Sequence, residues 1–368
     1  MARRRDTESK KRVRGTPGGP DAGRPLIGAQ ISTAGGFSPV PERAVAIGAE
    51  VVQTFSSNPR TWQTRSFGPD EMAALVEGLA RHRLSLFFHT IYLINLASPE
   101  DELRHKSAEA LAHALALGSL AGAVGVVTHI GSHRGDGFER GCERASGALA
   151  EAFQLAGASL EARGRDPALP PLLLETGAGA GAVLGAQLEQ LAALLEALSA
   201  EPALRNAATA ATGPPVAGIC LDTAHLFAAG YAVHDPQGLA ALVDDLGGLG
   251  LRDSVGLMHL NDSSAPFASN RDRHENPGDG LIGYEGLAAV VKHPAFARVP
   301  FVLEVPGADG HGPDAASIAV VKAMRDGRPR PAPAAGPAEH SAPAAATPPV
   351  RTEGRAAPDP RGGPAPGA

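Results

Sequence analysis

Eight short apolar runs, each bounded by turn-forming residues, recur along this chain and alternate with stretches of helical periodicity. The clearest helical patterns are DEMAALVEGLARHR, DELRHKSAEALAHALALG and QLEQLAALLEAL. Apolar strands that alternate with helices are typical of a parallel sheet covered by helices. The predicted strands span residues 26–32, 51–57, 84–90, 123–131, 171–177, 216–225, 255–262 and 300–306. Eight such units predict an α/β fold, a (β/α)₈ TIM barrel.

The residues that end these strands favour a closed barrel over an open, doubly wound sheet, which would show the same alternation. Almost every predicted strand ends in His, Asp, Glu, Asn, Gln or Ser. The carboxyl ends of all strands in a barrel converge on one mouth, so these side chains would meet there. In an open sheet they would be spread along an edge.

The two ends of the chain differ in composition from the part that carries the strands. Residues 1–25 hold eight Arg or Lys against three acids, and residues 327–368 hold eleven prolines among Ala and Gly. Such segments bury too little apolar surface to offset the entropy of ordering them. We therefore predict a basic disordered arm over 1–25, a barrel domain over 26–326 and a disordered tail over 327–368. Residues 200–218 are predicted to form a long surface loop before strand six.

Charge and cysteine content narrow the class of protein. The net charge is −6, of which the arm contributes +5 and the rest of the chain −11, so the body is acidic. An acidic body argues weakly against nucleic-acid binding, unless bound divalent metals change the local charge. Cys142 and Cys220 are far apart in sequence, which favours a reducing compartment. Since the sequence contains no apolar run of about 18 residues, we expect a cytoplasmic protein without membrane contact.

Nine histidines and carboxylates lie at the predicted strand ends or in the loop after strand seven. A single such residue is more often a loop hydrogen-bonding group than a ligand, but nine at one rim are a different matter. Four buried carboxylates would carry a large desolvation cost, and no matching set of strand-end Lys or Arg is available to pair with them. The nine are His89, His129, Glu175, Asp222, His225, His259, Asp272, His274 and Glu304.

Divalent cations are the remaining source of positive charge. Five imidazoles favour zinc, or manganese and iron, over magnesium or calcium. The ligands outnumber what one ion can use and include no thiolate, so we expect two or three metals in an open, catalytic arrangement. Three divalent ions against four carboxylates leave a site of about +2, which attracts an anion and activates water. Phosphodiester hydrolysis uses both properties, since two metals about 3.5–4 Å apart stabilise the attacking and leaving oxygens.

Several segments of the chain are similar, in order and spacing, to those of the endonuclease IV family of apurinic/apyrimidinic endonucleases. The similarity runs through residues 26–306, and LDTAHLFAAGY and NRDRHENPGDGLIG are its most specific blocks. The other segments are GAQISTAGGF, SSNPRTW, FHTIYLINLASP, THIGSH, ETGAGAGAVLG, MHLNDS and PFVLEVP.

This resemblance implies a metal site at the mouth of the barrel. His89 and His129 would bind a first zinc ion, and Glu175 would bridge it to a second. The second would be completed by Asp222, His259 and Glu304, and a third would be held by His225, Asp272 and His274. Three zinc ions are expected, with manganese possible in one position. Glu175, Glu304 and Asp222 would take part in catalysis through the metal-activated water.

The resemblance also implies a substrate, duplex DNA containing abasic sites, cleaved 5′ to the lesion to leave a 3′-hydroxyl and a 5′ deoxyribose phosphate. Arg60, Tyr92 and Leu93 would enter the bent duplex where the damaged nucleotide is flipped out. No protein partner is implied, a monomer would suffice, and the enzyme would reach the nucleoid through DNA. The chain departs from the family's common His at Gln30 and from its common Asn at Thr176, which leaves the orientation of neighbouring ligands in doubt.

Two other functions compete with this interpretation. A metal-dependent sugar isomerase or epimerase also gathers His, Asp and Glu at barrel strand ends, but the third ligand group and the loop Asn58-Pro-Arg60 favour the nuclease. A damage-recognition or scaffold protein with a structural metal is disfavoured by the open ligand position. The glycines of residues 177–185 resemble a dinucleotide fingerprint only in part, so we predict a flexible loop there, a helix beginning near Gly185 and no nucleotide cofactor.

Overall fold

Eight parallel strands form a closed barrel in the computed structural model, which describes residues 23–65, 67–200 and 217–332. The strands are β1 Ile27–Gln30, β2 Val51–Phe55, β3 Ser85–His89, β4 Gly125–Thr128, β5 Leu172–Glu175, β6 Ala217–Asp222, β7 Val255–His259 and β10 Phe301–Leu303, with β8 Asp262–Ser263 and β9 His274–Glu275 forming a separate antiparallel pair. Around the barrel the strands follow the order β1-β10-β7-β6-β5-β4-β3-β2, and β2 pairs with β1 to close it. This confirms the barrel and excludes the open sheet.

Helices cover the outside of the barrel, and two of them, rather than one, follow β6. The long helices after β3 and β4 are rich in alanine and pack closely against each other. Within the described residues, no helix has the length and apolar character needed to cross a membrane. The helices are α1 Val40–Ala46, α2 Pro69–His82, α3 Asp101–Ala121, α4 Phe138–Glu161, α5 Leu188–Ala200, α6 Thr223–Ala229, α7 Pro236–Gly248, α8 Gly283–Lys292 and α9 Ala315–Arg325.

The barrel interior changes from apolar to polar along the strands. Its apolar layer consists of one side chain from each of seven strands, namely Val51, Phe87, Val127, Leu173, Cys220, Leu257 and Val302. Since side chains alternate between the two faces of a strand, the residue two positions further on points the same way. At that position each strand carries a polar residue towards the mouth: Gln30, Gln53, His89, His129, Glu175, Asp222, His259 and Glu304.

The prediction that strand six runs to residue 225 is wrong, because β6 ends at Asp222 and His225 lies in α6. The reason is local: the Asp222 side chain accepts the backbone N–H of His225 at 2.9 Å and so caps the helix. The other strands also end before their predicted limits. The helix predicted near Gly185 begins at Leu188.

The segments at either end of the barrel are only partly described. Most of the predicted arm, residues 201–216 of the predicted loop and residues 333–368 lie outside the described residues. The limits of the loop predicted over 200–218 are wrong, because Ala200 ends α5 and β6 begins at Ala217. All described residues belong to one compact unit, Met1–Ala332. The first six residues of the predicted tail are described, and there Tyr284 Oη donates a hydrogen bond to the Arg328 carbonyl at 2.8 Å.

Candidate metal centre

The first group of potential ligands lies where β3, β4 and β5 end. Nε2 of His89 is 3.0 Å from Oε2 of Glu175, and Nδ1 of His129 is 3.4 Å from the same oxygen. Their ligand atoms all lie within 4.8 Å of one another. His89 and Glu175 are buried, whereas His129 is partly exposed at the mouth. The structure therefore brings together the three residues expected to surround a first ion.

The second group shares Glu175 with the first and occupies the base of the mouth. Nδ1 of His259 faces Oε1 of Glu175 at 3.1 Å, Oε2 of Glu304 at 3.3 Å and Oδ2 of Asp222 at 3.7 Å. One imidazole nitrogen thus faces three carboxylates, and all four ligand atoms lie within 4.8 Å of one another. Because Glu175 presents one oxygen to each group, it is placed to bridge two ions.

The third group lies at the outer side of the mouth and combines α6 with the β8–β9 pair. Ligand atoms of Asp222, His225 and His274 lie within 4.8 Å of one another. Asp272, half exposed, lies 3.2 Å from Nε2 of His225 and 3.2 Å from Nε2 of His274. The structure thus gathers the three residues expected here and adds Asp222, which faces both this group and the second.

Four of the five histidines are oriented by a hydrogen bond from one ring nitrogen. Nδ1 of His89, His225 and His274 donates to the backbone carbonyls of Thr90, Thr176 and Glu304, at 2.8, 2.8 and 3.2 Å. Nε2 of His259 donates to the side-chain oxygen of Gln53 at 2.9 Å. A carbonyl oxygen can only accept, so the other ring nitrogen of each histidine is turned to the cluster and offers a lone pair there once it is deprotonated. Metal-binding histidines are held in this way.

The carboxylates of the cluster face histidines, and in the absence of a metal ion protonated imidazoles supply the positive charge that balances them. Burial alone would raise the pKa of Glu175, but the neighbouring imidazoles of His129, His259 and His225 hold it well below its usual range. Burial lowers the pKa of His259 and His225, but the surrounding acidic groups raise both pKa values well above the usual range. The cluster therefore requires positive charge, which either protons or metal ions supply.

A buried nitrogen without a partner provides a direct test of whether a metal fits. Nε2 of His274 is buried and forms no hydrogen bond, although Asp272 lies close to it. A metal ion is one partner that can complete a buried imidazole nitrogen of this kind. Together with nitrogen and carboxylate donors in three compact groups, this supports zinc or a similar transition metal and argues against a site built for magnesium or calcium.

Zinc binding is expected to release protons at neutral pH. Burial lowers the pKa of His274, but the charges of Asp222 and Asp272 outweigh burial and raise that pKa to about 9. At pH 7 this imidazole is therefore protonated before metal binding, and a cation at Nε2 must displace about one proton from it. Zinc affinity should accordingly weaken as the pH falls below 9. Calorimetric titration of metal-free protein in two buffers of different ionisation enthalpy measures the release, and buffer-independent heats would contradict it.

Two polar residues hold the Asp222 region in place: Thr176, which the sequence marked as a departure from the family, and Asn261, which it did not mark. The Thr176 hydroxyl accepts the backbone N–H of Asp222 at 2.9 Å. Nδ2 of Asn261 donates to Oδ2 of Asp222 at 2.7 Å, and its Oδ1 accepts the backbone N–H of Glu304 at 2.8 Å. Thr176, where the family commonly has Asn, therefore supports two ligands, Asp222 through its hydroxyl and His225 through its carbonyl.

The loop after β9 is held by one buried carboxylate, Asp262, which the sequence also did not reveal. Its two oxygens accept backbone N–H groups at distances between 2.8 and 3.2 Å, which fixes the loop that follows His274. A carboxylate satisfied by amides needs no cation of its own. The donors are Ser263, Gly278, Gly280, Ile282 and Gly283.

The residues expected to enter DNA lie together beside the ligand cluster. Arg60 is exposed, as are the side chains of Tyr92 and Leu93, at 57% and 36%. The backbone N–H of Tyr92 donates to the carbonyl of Pro59 at 3.0 Å, which joins the two loops. The Tyr92 ring packs edge-on against Phe55 with centroids 5.1 Å apart. The two loops that carry these side chains therefore adjoin each other, and the Tyr92 ring lies beside the candidate ligand His89, with ring centroids 6.4 Å apart.

Known proteins resemble this chain in sequence and in fold. A family model described as a xylose isomerase-like TIM barrel matches residues 41–326. The probable endonuclease 4 of Nitratidesulfovibrio vulgaris is 37% identical over 305 residues, which cover 82% of this chain and 99% of that protein. The crystal structure of endonuclease IV from Thermus thermophilus superposes with a TM-score of 0.66 and 32% identity, covering 82% of this chain and 100% of that one. A D-tagatose 3-epimerase-like protein superposes with a TM-score of 0.55 over 82% of this chain and 96% of its own, and at 16% identity the likeness is one of fold alone.

Proposed function

The chain belongs to the endonuclease IV family and is a DNA endonuclease, and on that premise we propose that it incises duplex DNA at abasic sites. The bond hydrolysed is the phosphodiester 5′ to the lesion, and the products are a 3′-hydroxyl and a 5′ deoxyribose phosphate. Three zinc ions serve as cofactors, with manganese possible in one position. The enzyme acts as a monomer.

The observation that carries this proposal is the arrangement of nine candidate ligands in three joined groups. Glu175 connects the first two groups, and Asp222 faces both the second and the third. Three neighbouring cations suit a phosphodiester, because its attacking, leaving and non-bridging oxygens all carry negative charge during the displacement. Zinc ions bound here supply Lewis acidity and lower the pKa of a coordinated water.

The protein's own residues determine from which side the substrate enters. Glu175, Asp222 and His259 are buried at the base of the mouth, whereas His129, Glu304, His274 and Asp272 are partly exposed above them. The scissile phosphate therefore approaches along the exposed edge. Arg60, Tyr92 and Leu93, on the two loops beside the mouth, occupy the stack vacated by the flipped nucleotide.

Sugar isomerisation on the same barrel is the weaker alternative. Its support is the likeness of fold to epimerases, whereas the relatives above 30% identity bear endonuclease names. Proton transfer on a sugar also needs fewer ions than three joined ligand groups can hold.

Mapping the product ends on a duplex with one abasic site tests the function directly. We expect a single incision 5′ to the lesion, no incision of the matched undamaged duplex, and about three zinc ions per chain by elemental analysis. Removal of the metals with a chelator should abolish incision, and added zinc should restore it. A folded protein that carries about three zinc ions and leaves the abasic duplex intact refutes the assignment.

A further inference from the structure

Gln53, on β2, connects two of the proposed ligands of the second group through its amide. We propose that Gln53 is a positioning residue that sets His259 and Glu304 for metal binding, an inference that rests on the proposed function. Its Oε1 lies 2.9 Å from Nε2 of His259, and its Nε2 lies 2.6 Å from Oε1 of Glu304. The side chain is fully buried, so no water replaces these two hydrogen bonds.

The direction of each hydrogen bond follows from the chemistry of the groups. The amide nitrogen of Gln53 can only donate and the Glu304 carboxylate can only accept, so the amide nitrogen faces Glu304. The amide oxygen must then face His259 and accept its Nε2–H. The reversed amide would place an oxygen against the carboxylate and an N–H against an N–H. Only one orientation of Gln53 is therefore compatible with both neighbours.

This orientation selects the atoms that remain for a metal. With Nε2 of His259 donating to Gln53, the lone pair of Nδ1 points towards Glu175, Asp222 and Glu304. With Oε1 of Glu304 bound to Gln53, Oε2 is the oxygen that lies 3.3 Å from Nδ1 of His259. One amide thus fixes the tautomer of one ligand and the free oxygen of another. A hydrophobic side chain in its place would leave both ligands free to rotate.

Gln30, on the neighbouring strand β1, provides a matched control. It is aligned with Gln53 in the strand register and belongs to the same ring of mouth-facing residues. Both polar atoms of its side-chain amide are buried, and neither has a hydrogen-bond partner. Replacing Gln30 therefore removes an equivalent amide from the same layer without removing a bond to His259 or Glu304.

The test measures how firmly zinc is retained by the full-length protein. The variants Gln53→Met and Gln53→Leu both remove the amide but differ in the shape of the side chain. The test can be carried out if either of the two variants folds. Each is incubated with increasing EDTA, and the zinc that remains is counted, with folding checked by circular dichroism. We expect half-removal at an EDTA concentration at least about tenfold lower than for wild type, with Gln30→Leu within about twofold of wild type.

A double-substitution cycle separates positioning from a general packing effect. In a His259→Ala background, Gln53→Met should lower zinc retention by a clearly smaller factor than in wild type, because only its contact with Glu304 remains to be lost. A folded Gln53 variant with wild-type retention, or an equal loss in both backgrounds, overturns the inference. Wild-type protein that retains zinc but does not incise abasic DNA refutes the proposed function alone. Wild-type protein that retains no zinc overturns both.

Discussion

Replacing Glu175 with glutamine is expected to lower abasic-site incision at least about 1000-fold, the largest effect of any single substitution in this chain. Oε2 of Glu175 faces His89 and His129, and Oε1 faces His259 at 3.1 Å. The carboxylate is 1% exposed and every ion-pair partner that it has within the described chain is a histidine. An amide keeps the shape but removes the charge and one acceptor, so the first two groups lose their shared ligand.

The measurement is single-turnover incision combined with a zinc count. Glu175→Gln should lose zinc from the first two groups and keep the ion of the third, so about one ion per chain is expected to remain. Glu161→Gln, at the exposed end of α4, is the control, since it removes an equal charge far from the barrel mouth. Wild-type incision by a folded Glu175→Gln protein would show that the bridging assignment is mistaken.

The sequence predicted the barrel and six of the nine candidate ligands together because both depend on the same local pattern. Each apolar strand ends in a polar residue two positions beyond an inward-facing apolar one, as in Val127 and His129 or Leu173 and Glu175. Alternation along a strand can be recognised without a structure. Seven repetitions of the pattern then predict that the polar residues meet at one mouth.

What the sequence could not predict depends on contacts between distant segments. Gln53 is 206 residues from His259 and 251 from Glu304, and no short motif connects them. The same holds for Asn261, whose amide spans Asp222 and the backbone of Glu304. Side chains alternate between the two faces of a strand, and Gln53 lies two residues after the inward-facing Val51. That spacing is the only feature of the sequence that could have indicated that the Gln53 side chain points into the barrel.

The short motif from Asp222 to His225 shows how a local interaction changes the outcome. The apolar residues that precede the motif predict a strand that continues through His225. The Asp222 carboxylate instead caps a helix that begins at Thr223. The helical turn moves His225 out of the ring of strand ends and towards Asp272, 3.2 Å away. The third group therefore exists because the strand stops early.

Replacing His274 with alanine should remove one metal ion and leave the other two, with incision lowered about 100-fold. Nε2 of His274 is the buried nitrogen without a hydrogen bond, and it belongs to the third group alone. His225 is a less selective choice, because its Nδ1 also lies 3.3 Å from Oε1 of Glu175. Loss of a third ion would remove one positive centre but would leave the two ions that Glu175 is proposed to bridge.

The His274→Ala protein should therefore retain about two zinc ions per chain, whereas the Glu175→Gln protein should retain about one. The control is His105→Ala, which removes an exposed imidazole on α3 and should retain wild-type zinc and incision. If His274→Ala keeps all its zinc, the third group does not hold an ion. If it loses all of its zinc, the three groups bind metals as one cooperative unit, and Asp222, which faces both the second and the third, is the residue through which they are coupled.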